Sequence, residues 1–229
     1  MTIILLYIHR KILQLTYWFK YKLFPFHYCQ LCGLPTRHML CQYCMAYINS
    51  FECPSFNNLQ NPNIIYEQYF CYAYNFLLRE IVRRYKYKKQ INLKWLLGYL
   101  GARHLKLMTF DVDFIIPVPS HKNKIRQRGF DHVSLLLDYH RATNNNIPVR
   151  TDILVKSKES NAQVGLNRQD RQDNLHNTFM VKKDVSDKNI LIFDDVYTTG
   201  STMNEIVTLL KKCGASNVYI LCLCRTYSS

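Results

Sequence analysis

The chain has 229 residues, 48% hydrophobic, 14% aromatic and 20% charged, which suits one domain plus a small module and excludes a large multidomain machine or a mostly disordered chain. Lys and Arg outnumber Asp and Glu by 30 to 16, and the excess is concentrated early, +11 over residues 1–110 against +3 over 111–229; such a region favours an anionic partner, whether nucleic acid, a phosphate-rich ligand or an acidic membrane surface. Nine cysteines, an odd number with no cleavable signal before them, argue against a disulfide framework and for metal binding or core thiols in the cytoplasm.

Residues 1–25 form an N-terminal amphipathic segment. Its apolar start, Met1 to Ile8, is far shorter than the roughly 20 residues that cross a bilayer. A basic helix over 3–24, with Trp18, Phe19 and Phe24 against Lys11, Lys20 and Lys22, would allow membrane contact, but docking on protein is the favoured reading. Residues 26–55 carry Cys29-Gln-Leu-Cys32-Gly33 and Cys41-Gln-Tyr-Cys44. Two residues between thiolates let both sulfurs reach one ion about 2.3 Å away, and two such knuckles complete the tetrahedron that structural zinc prefers; a redox pair or an iron–sulfur cluster is the weaker alternative. The other thiols, Cys53, Cys71, Cys213, Cys222 and Cys224, read as small core residues.

An Asn/Pro/Ser-rich stretch, residues 54–63, reads as a linker, after which residues 64–229 form the main domain. Over 67–108 the pattern is helical: Phe76, Leu77, Ile81, Val82 and Tyr85 make an apolar stripe beside Arg79, Arg83, Arg84, Lys86, Lys88 and Lys89. From Asp113 short apolar runs (114–118, 153–155, 178–181, 190–193, 218–224) alternate with helical stretches (130–139, 201–213). The fold class is therefore α/β, a parallel sheet with helices on both faces, in which ligands bind beyond the carboxyl ends of the strands.

Two segments sit at such ends. Ile190-Leu-Ile-Phe-Asp194-Asp195-Val196-Tyr197-Thr198-Thr199-Gly200-Ser201-Thr202 runs from a buried strand through two carboxylates into a turn that opens a helix, which is anion-binding geometry. The carboxylates would repel a phosphate if aimed at it, so they must serve sugar hydroxyls or a divalent ion. A P-loop and a dinucleotide fingerprint are both absent. These residues resemble the phosphoribosyl-pyrophosphate (PRPP) signature of type I phosphoribosyltransferases. The resemblance implies that Asp194 and Asp195, the catalytic pair of an active enzyme, hold the ribose hydroxyls, that Val196 and Tyr197 belong to the same PRPP-binding run, and that Thr198, Thr199, Gly200, Ser201 and Thr202 bind the 5-phosphate, with Mg²⁺ accompanying PRPP. The loop after Val118 resembles that family's pyrophosphate-binding place, with Pro119, Ser120, His121, Lys122, Arg126 and Arg128 as its candidates; on extended chain the two arginines would face the same way.

Gln163, Leu166, Arg171, Asn174 and Phe179 resemble a run of the ComF competence-protein family, and the whole order of knuckles, basic Tyr-rich helix, Pro-Val-Pro loop, flexible loop (Gln163, Arg168, Arg171) and PRPP loop is similar to that family over nearly residues 26–226. Asp131-His132 stands where the family usually reads Asn-Gln. The resemblance implies a cytoplasmic factor of DNA uptake in natural transformation that binds PRPP and single-stranded DNA, with a DNA-uptake helicase as a candidate partner. The interleaving of Arg83, Arg84, Lys86, Lys88 and Lys89 with Tyr85 and Tyr87 suits a strand, since cations track phosphates and rings stack on bases; a solvated helix with core tyrosines reads equally well. The competing expectation is an enzyme that transfers phosphoribose from PRPP to an unidentified nucleophile.

Overall fold

The computed structural model describes residues 27–53, 67–108, 111–143, 146–156 and 178–226. The chain divides into two compact units, Met1–Ser50 and Phe51–Ser229. The larger unit begins earlier than composition suggests: Glu52 bridges Tyr72, and the Cys53 N–H donates to the Cys71 carbonyl. In the smaller unit, β1 (His27–Tyr28) pairs antiparallel with β2 (Pro35–Thr36), and α1 (Gln42–Asn49) follows. The expected amphipathic segment over 3–24 lies outside the described residues.

The larger unit contains β3 (Glu67–Ala73), α2 (Phe76–Tyr87), α3 (Leu93–Leu105), β4 (Phe114–Pro117), α4 (Lys122–Arg128), α5 (His132–Leu136), α6 (Asp138–Ala142), β5 (Leu154–Lys156), β6 (Phe179–Val181), β7 (Asn189–Tyr197), α7 (Ser201–Lys212) and β8 (Asn217–Arg225). Four of these strands form a parallel sheet in the order β3-β8-β7-β4. Alternate residues of a strand face opposite sides, and here both sides are covered. Ile190 and Ile192 of β7, Ile116 of β4 and Ile220 and Cys222 of β8 share a core with Met203, Ile206, Val207 and Leu210 of α7. On the other face, Gly101 of α3 stands against the Phe193 ring, where an added Cβ would lie 3.3 Å from it with Leu223 next. Double coverage is why these strands read as unbroken apolar runs.

Three sequence expectations are corrected. The zone 67–108 does not begin as helix, because Glu67–Ala73 is an edge strand whose residues 68–72 are buried against β8 and the helices. The short strands β5 and β6 pair antiparallel with each other in a separate two-stranded sheet. Cys213 is exposed after α7 rather than in the core, while Cys53, Cys71, Cys222 and Cys224 are buried as expected.

Helix α3 approaches α5 and α6 closely only because residue 98 is glycine: a Cβ there would collide with the Leu136 carbonyl oxygen and lie 2.9 Å from the Tyr139 Cβ. Gly98→Ala is expected to cost about 2 kcal/mol, since backbone on one side cannot yield as a side chain would. Thermal melting checks it; a fall of roughly 4–8 °C is the outcome for a unit of this size.

Candidate functional site

Beyond Phe193, strand β7 continues through Asp194 and Asp195 to Tyr197. The alternation that sends Phe193 to the α3 face sends Asp195 there too, and Asp194 to the α7 face, so adjacent carboxylates serve different surroundings. Asp195 is only 5% exposed and its Oδ2 lies 2.5 Å from the Lys86 Nζ, near the end of α2, and 3.5 Å from the His132 Nε2. Asp194 accepts from the Asp195 N–H at 2.8 Å.

Burial works against the Asp195 anion, but the Lys86 ammonium and His132 outweigh it and hold its carboxyl below the usual range. Burial likewise opposes the Lys86 charge, and Asp195 more than restores it. Burial and the neighbouring Asp195 charge push the Asp194 carboxyl well up. One member of the pair is thus kept ionised while the other is biased toward taking a proton.

The loop after β4 closes onto this pair. Ser120 Oγ lies 3.1 Å from Asp131 Oδ1 and 2.9 Å from His132 Nδ1, and Asp131 caps α5 by accepting from the Val133 N–H. Arg128 donates to His132 Nδ1 at 2.9 Å. A guanidinium can only donate, so Nδ1 is the acceptor and the ring proton lies on Nε2, toward Asp195. The Tyr85 hydroxyl donates to the His132 carbonyl at 2.7 Å. His132 was not among the expected site residues; its signal was the departure from Asn-Gln. Lys86 was expected at a DNA surface, yet its spacing from Val82 continues the buried stripe of α2, and the structure brings it to Asp195 instead.

At the end of β7, Thr198 and Thr199 are exposed and Gly200, at φ +79°, starts α7 without a side-chain cap. The Thr199 and Ser201 hydroxyl oxygens are 3.2 Å apart, and Thr202 is in the first turn. Tyr197 folds over this turn, so that a Cβ at residue 200 would collide with its hydroxyl. The Ser201 N–H donates weakly to Thr199 Oγ1 at 3.5 Å; the first-turn N–H groups, two hydroxyls and the positive end of a twelve-residue helix can together receive a phosphate.

The other expected residues are dispersed. Pro119, Ser120 and His121 form the loop before α4, and the His121 side chain caps that helix by accepting from the Asn123 N–H. Lys122, Arg126 and Arg128 lie within α4 rather than on extended chain, so the two arginines, two positions apart, point to different sides; Arg126 is exposed and Arg128 is half-buried. Arg83 and Arg84 both pair with Glu80, at 2.7 and 2.8 Å. Tyr85 is fully buried, which removes it as a base-stacking ring, and Lys88 and Lys89 are exposed. Gln163, Arg168 and Arg171 lie outside the described residues.

In the smaller unit the sulfurs of Cys29, Cys32, Cys41 and Cys44 all lie within 4.8 Å of one another, with Cys32 and Cys41 3.6 Å apart. A tetrahedron with metal–sulfur bonds of about 2.3 Å has edges near 3.8 Å, so the donor set fits a metal ion. Gly33, at φ +74°, makes the first knuckle, its N–H donating to the Cys29 carbonyl, while Cys41 starts α1 and places Cys44 in its first turn.

Burial, helped by Lys86 and Arg128 and opposed by Asp195 and Asp131, brings His132 down to about 4 from 6.5. Across that window the unfolded chain binds the extra proton and the folded one does not, so stability present above about pH 6.5 is lost as pH falls toward 4. Urea unfolding at pH 7 and pH 4.5 checks this: wild type should lose more stability between the two than His132→Gln.

Residues 132–229 match the model of the phosphoribosyl transferase domain. Competence protein F of Haemophilus influenzae is 32% identical over 154 residues, 63% of this chain and 66% of that protein. DNA utilization protein YhgH of Shigella flexneri is 29% identical over 211 residues, 86% of this chain and 90% of its own. Competence protein ComFC of Streptococcus pneumoniae is 27% identical over 155 residues, 67% of this chain and 66% of its own. The match thus spans just under two thirds of the Haemophilus and pneumococcal proteins. With a four-cysteine cluster ahead of a parallel-sheet body of type I phosphoribosyltransferase fold, the chain is a homologue of the proteins named Competence protein F, ComFC and YhgH.

Proposed function

We propose that residues 51–229 bind PRPP with Mg²⁺ at the end of β7, and that the protein acts on single-stranded DNA in the cytoplasm during DNA uptake. The observation that carries the first part is the sequence of carboxylate, carboxylate, open glycine turn and uncapped helix along 194–202. The N–H groups and hydroxyls of 198–202 would take the 5-phosphate, Asp194 and Asp195 the ribose hydroxyls, and the loop 119–121 with Arg128 the pyrophosphate. Mg²⁺, held with the pyrophosphate and an acidic side chain, would neutralise charge that the protein's own cations leave uncovered. In the free protein Lys86 occupies Asp195, so the ligand's hydroxyls must share or displace that ammonium. The names of the Haemophilus and Shigella proteins, competence and DNA utilization, support the second part. So does the formal charge of +11 over residues 1–110. Among the described residues no helix is long and apolar enough to cross a membrane.

Calorimetry with PRPP and Mg²⁺ tests the reading. Wild type should bind. Asp194→Asn, which keeps an oxygen to accept from the Asp195 N–H, should weaken binding at least tenfold with melting little changed. Gly200→Ala should weaken it too, since a Cβ is disfavoured at this φ and the Tyr197 ring must move off the turn. Absence of wild-type binding ends the proposal; release of pyrophosphate on adding an amine or base would instead identify a transferase.

Structural zinc in the four-cysteine cluster is the second expectation. Metal analysis should return one zinc per chain, and Cys32→Ser should lower that content. Chelation should unfold the 27–50 module, since coordination supplies most of the folding energy of so small a unit. A full complement of zinc in Cys32→Ser would refute the ligand set.

A further inference from the structure

At the end of α2 a cleft of ≈ 190 Å³ opens beside α4, lined among others by Lys86, Tyr87, Lys89, Lys124, Arg128 and Phe130. It holds four cations and, among the described residues, no carboxylate. Asp195 takes the Lys86 ammonium, but Lys89 and Lys124 are exposed and have no ion-pair partner among the described residues. Like charges gathered on one wall repel each other, and an anion between them relieves that repulsion. Tyr87 is 67% exposed, and the Arg128 guanidinium stands 5.1 Å from its ring centroid. A guanidinium on one side of a ring leaves the other side for a flat partner.

Lys89 adds a separate observation. It follows the last turn of α2 at φ +54°, the left-handed position where helices usually place glycine. A lysine there is a poor choice for ending a helix, and its ammonium lines the cleft. The neighbouring face of α2 is different: Arg83 and Arg84 are already paired with Glu80, and Tyr85 is inside the protein.

We infer that this cleft holds one nucleotide unit of a single strand, its phosphate between Lys89 and Lys124 and its base on the exposed side of Tyr87, with Arg128 backing the other side of that ring. The inference rests on the DNA-handling reading above and relocates the contact from the Arg83–Arg84 face to the end of α2. Because Lys86 both lines the cleft and touches Asp195, the nucleotide would lie next to the acidic pair. A free mononucleotide shares this chemistry, so the test separates the two.

The full zinc-loaded chain is titrated with a fluorescent oligo-dT strand at several salt concentrations, with PRPP calorimetry run in parallel. Tyr87→Ala should weaken strand binding about tenfold, as expected for loss of one stacked base. The double variant Lys89→Gly/Lys124→Gln should flatten the slope of log affinity against log salt by about 0.7, the share of one phosphate contact on a single strand. Lys89→Gly alone should melt no lower than wild type while binding the strand less well, a combination that general damage cannot produce. Arg83→Gln/Arg84→Gln should stay within about threefold of wild type, using the same approximate scale for exposed, already paired cations. Wild-type affinity and slope in the Tyr87 and Lys89/Lys124 variants, or an equal loss in Arg83→Gln/Arg84→Gln, would overturn the cleft assignment while leaving DNA binding intact. Parallel loss of PRPP affinity in the Lys89/Lys124 variant would overturn it by making the cleft part of the PRPP site. Displacement of the strand by dTMP at equal nucleotide concentration would assign the cleft to a free nucleotide. A wild-type chain that binds no strand would remove the DNA reading itself and the cleft assignment with it.

Discussion

The ion pair between Lys86 and Asp195 organises the end of the sheet. A strand must send Asp194 and Asp195 to opposite faces, and the face that receives Asp195 is closed by α2 and α5. An anion placed there alone would be intolerable; with one partner removed from a buried pair, the cost is on the order of 3–5 kcal/mol. Lys86 meets this demand from the last full turn of α2, and the residue before it, Tyr85, ties the same helix to the start of α5 through the His132 carbonyl. One strand, two helices and the loop after β4 are therefore fixed around a single carboxylate.

That arrangement also resolves the repulsion implied by two acids beside a phosphate turn. Asp195 is neutralised by Lys86, and the Asp194 proton is favoured by burial and by its neighbour's charge. The pair therefore presents much less than two negative charges to an approaching phosphate. His132 contributes as a neutral ring, its Nδ1 occupied by Arg128 and its Nε2 proton toward Asp195. Neutrality matters here, because an imidazolium beside Lys86 and Arg128 would crowd three cations around one carboxylate.

Much of this was legible in the chain. Strands β4, β7 and β8 are apolar because both their faces are covered, and helix α7 follows a glycine turn whose chemistry is local; both signals survive in a single sequence. The knuckles are likewise local, since four thiolates at short spacing need no distant partner to be recognised. Strand β3 was not legible. Glu67–Ala73 shows no alternation of its own because residues 68–72 are all buried, and what makes it a strand is pairing with β8, about 150 residues away. The roles of Lys86, Tyr85 and Arg128 were hidden for a related reason: a basic helix face looks the same whether its cations meet water or a carboxylate from another strand.

Formal charge over the first 110 residues consequently overstates the cations available to a polyanion. Glu80 absorbs Arg83 and Arg84, Asp195 absorbs Lys86, and Asp138 absorbs Lys94 at 2.7 Å. The exposed pairs of Arg83 and Arg84 with Glu80 are worth little to stability, but they do cancel local field, and a phosphate approaching Arg83 must compete with a carboxylate already in place. Lys89 and Lys124 face no such competition among the described residues, and they share a cleft with Lys86, whose ammonium meets Asp195 near the end of β7. Parallel strands and the amino end of α7 converge there for reasons of topology alone, so uncompensated side-chain charge and oriented backbone N–H groups add at one end of the molecule. Under the proposed function, a phosphorylated sugar and the phosphates of a strand would be drawn to neighbouring positions by the same field, with Lys86 between them.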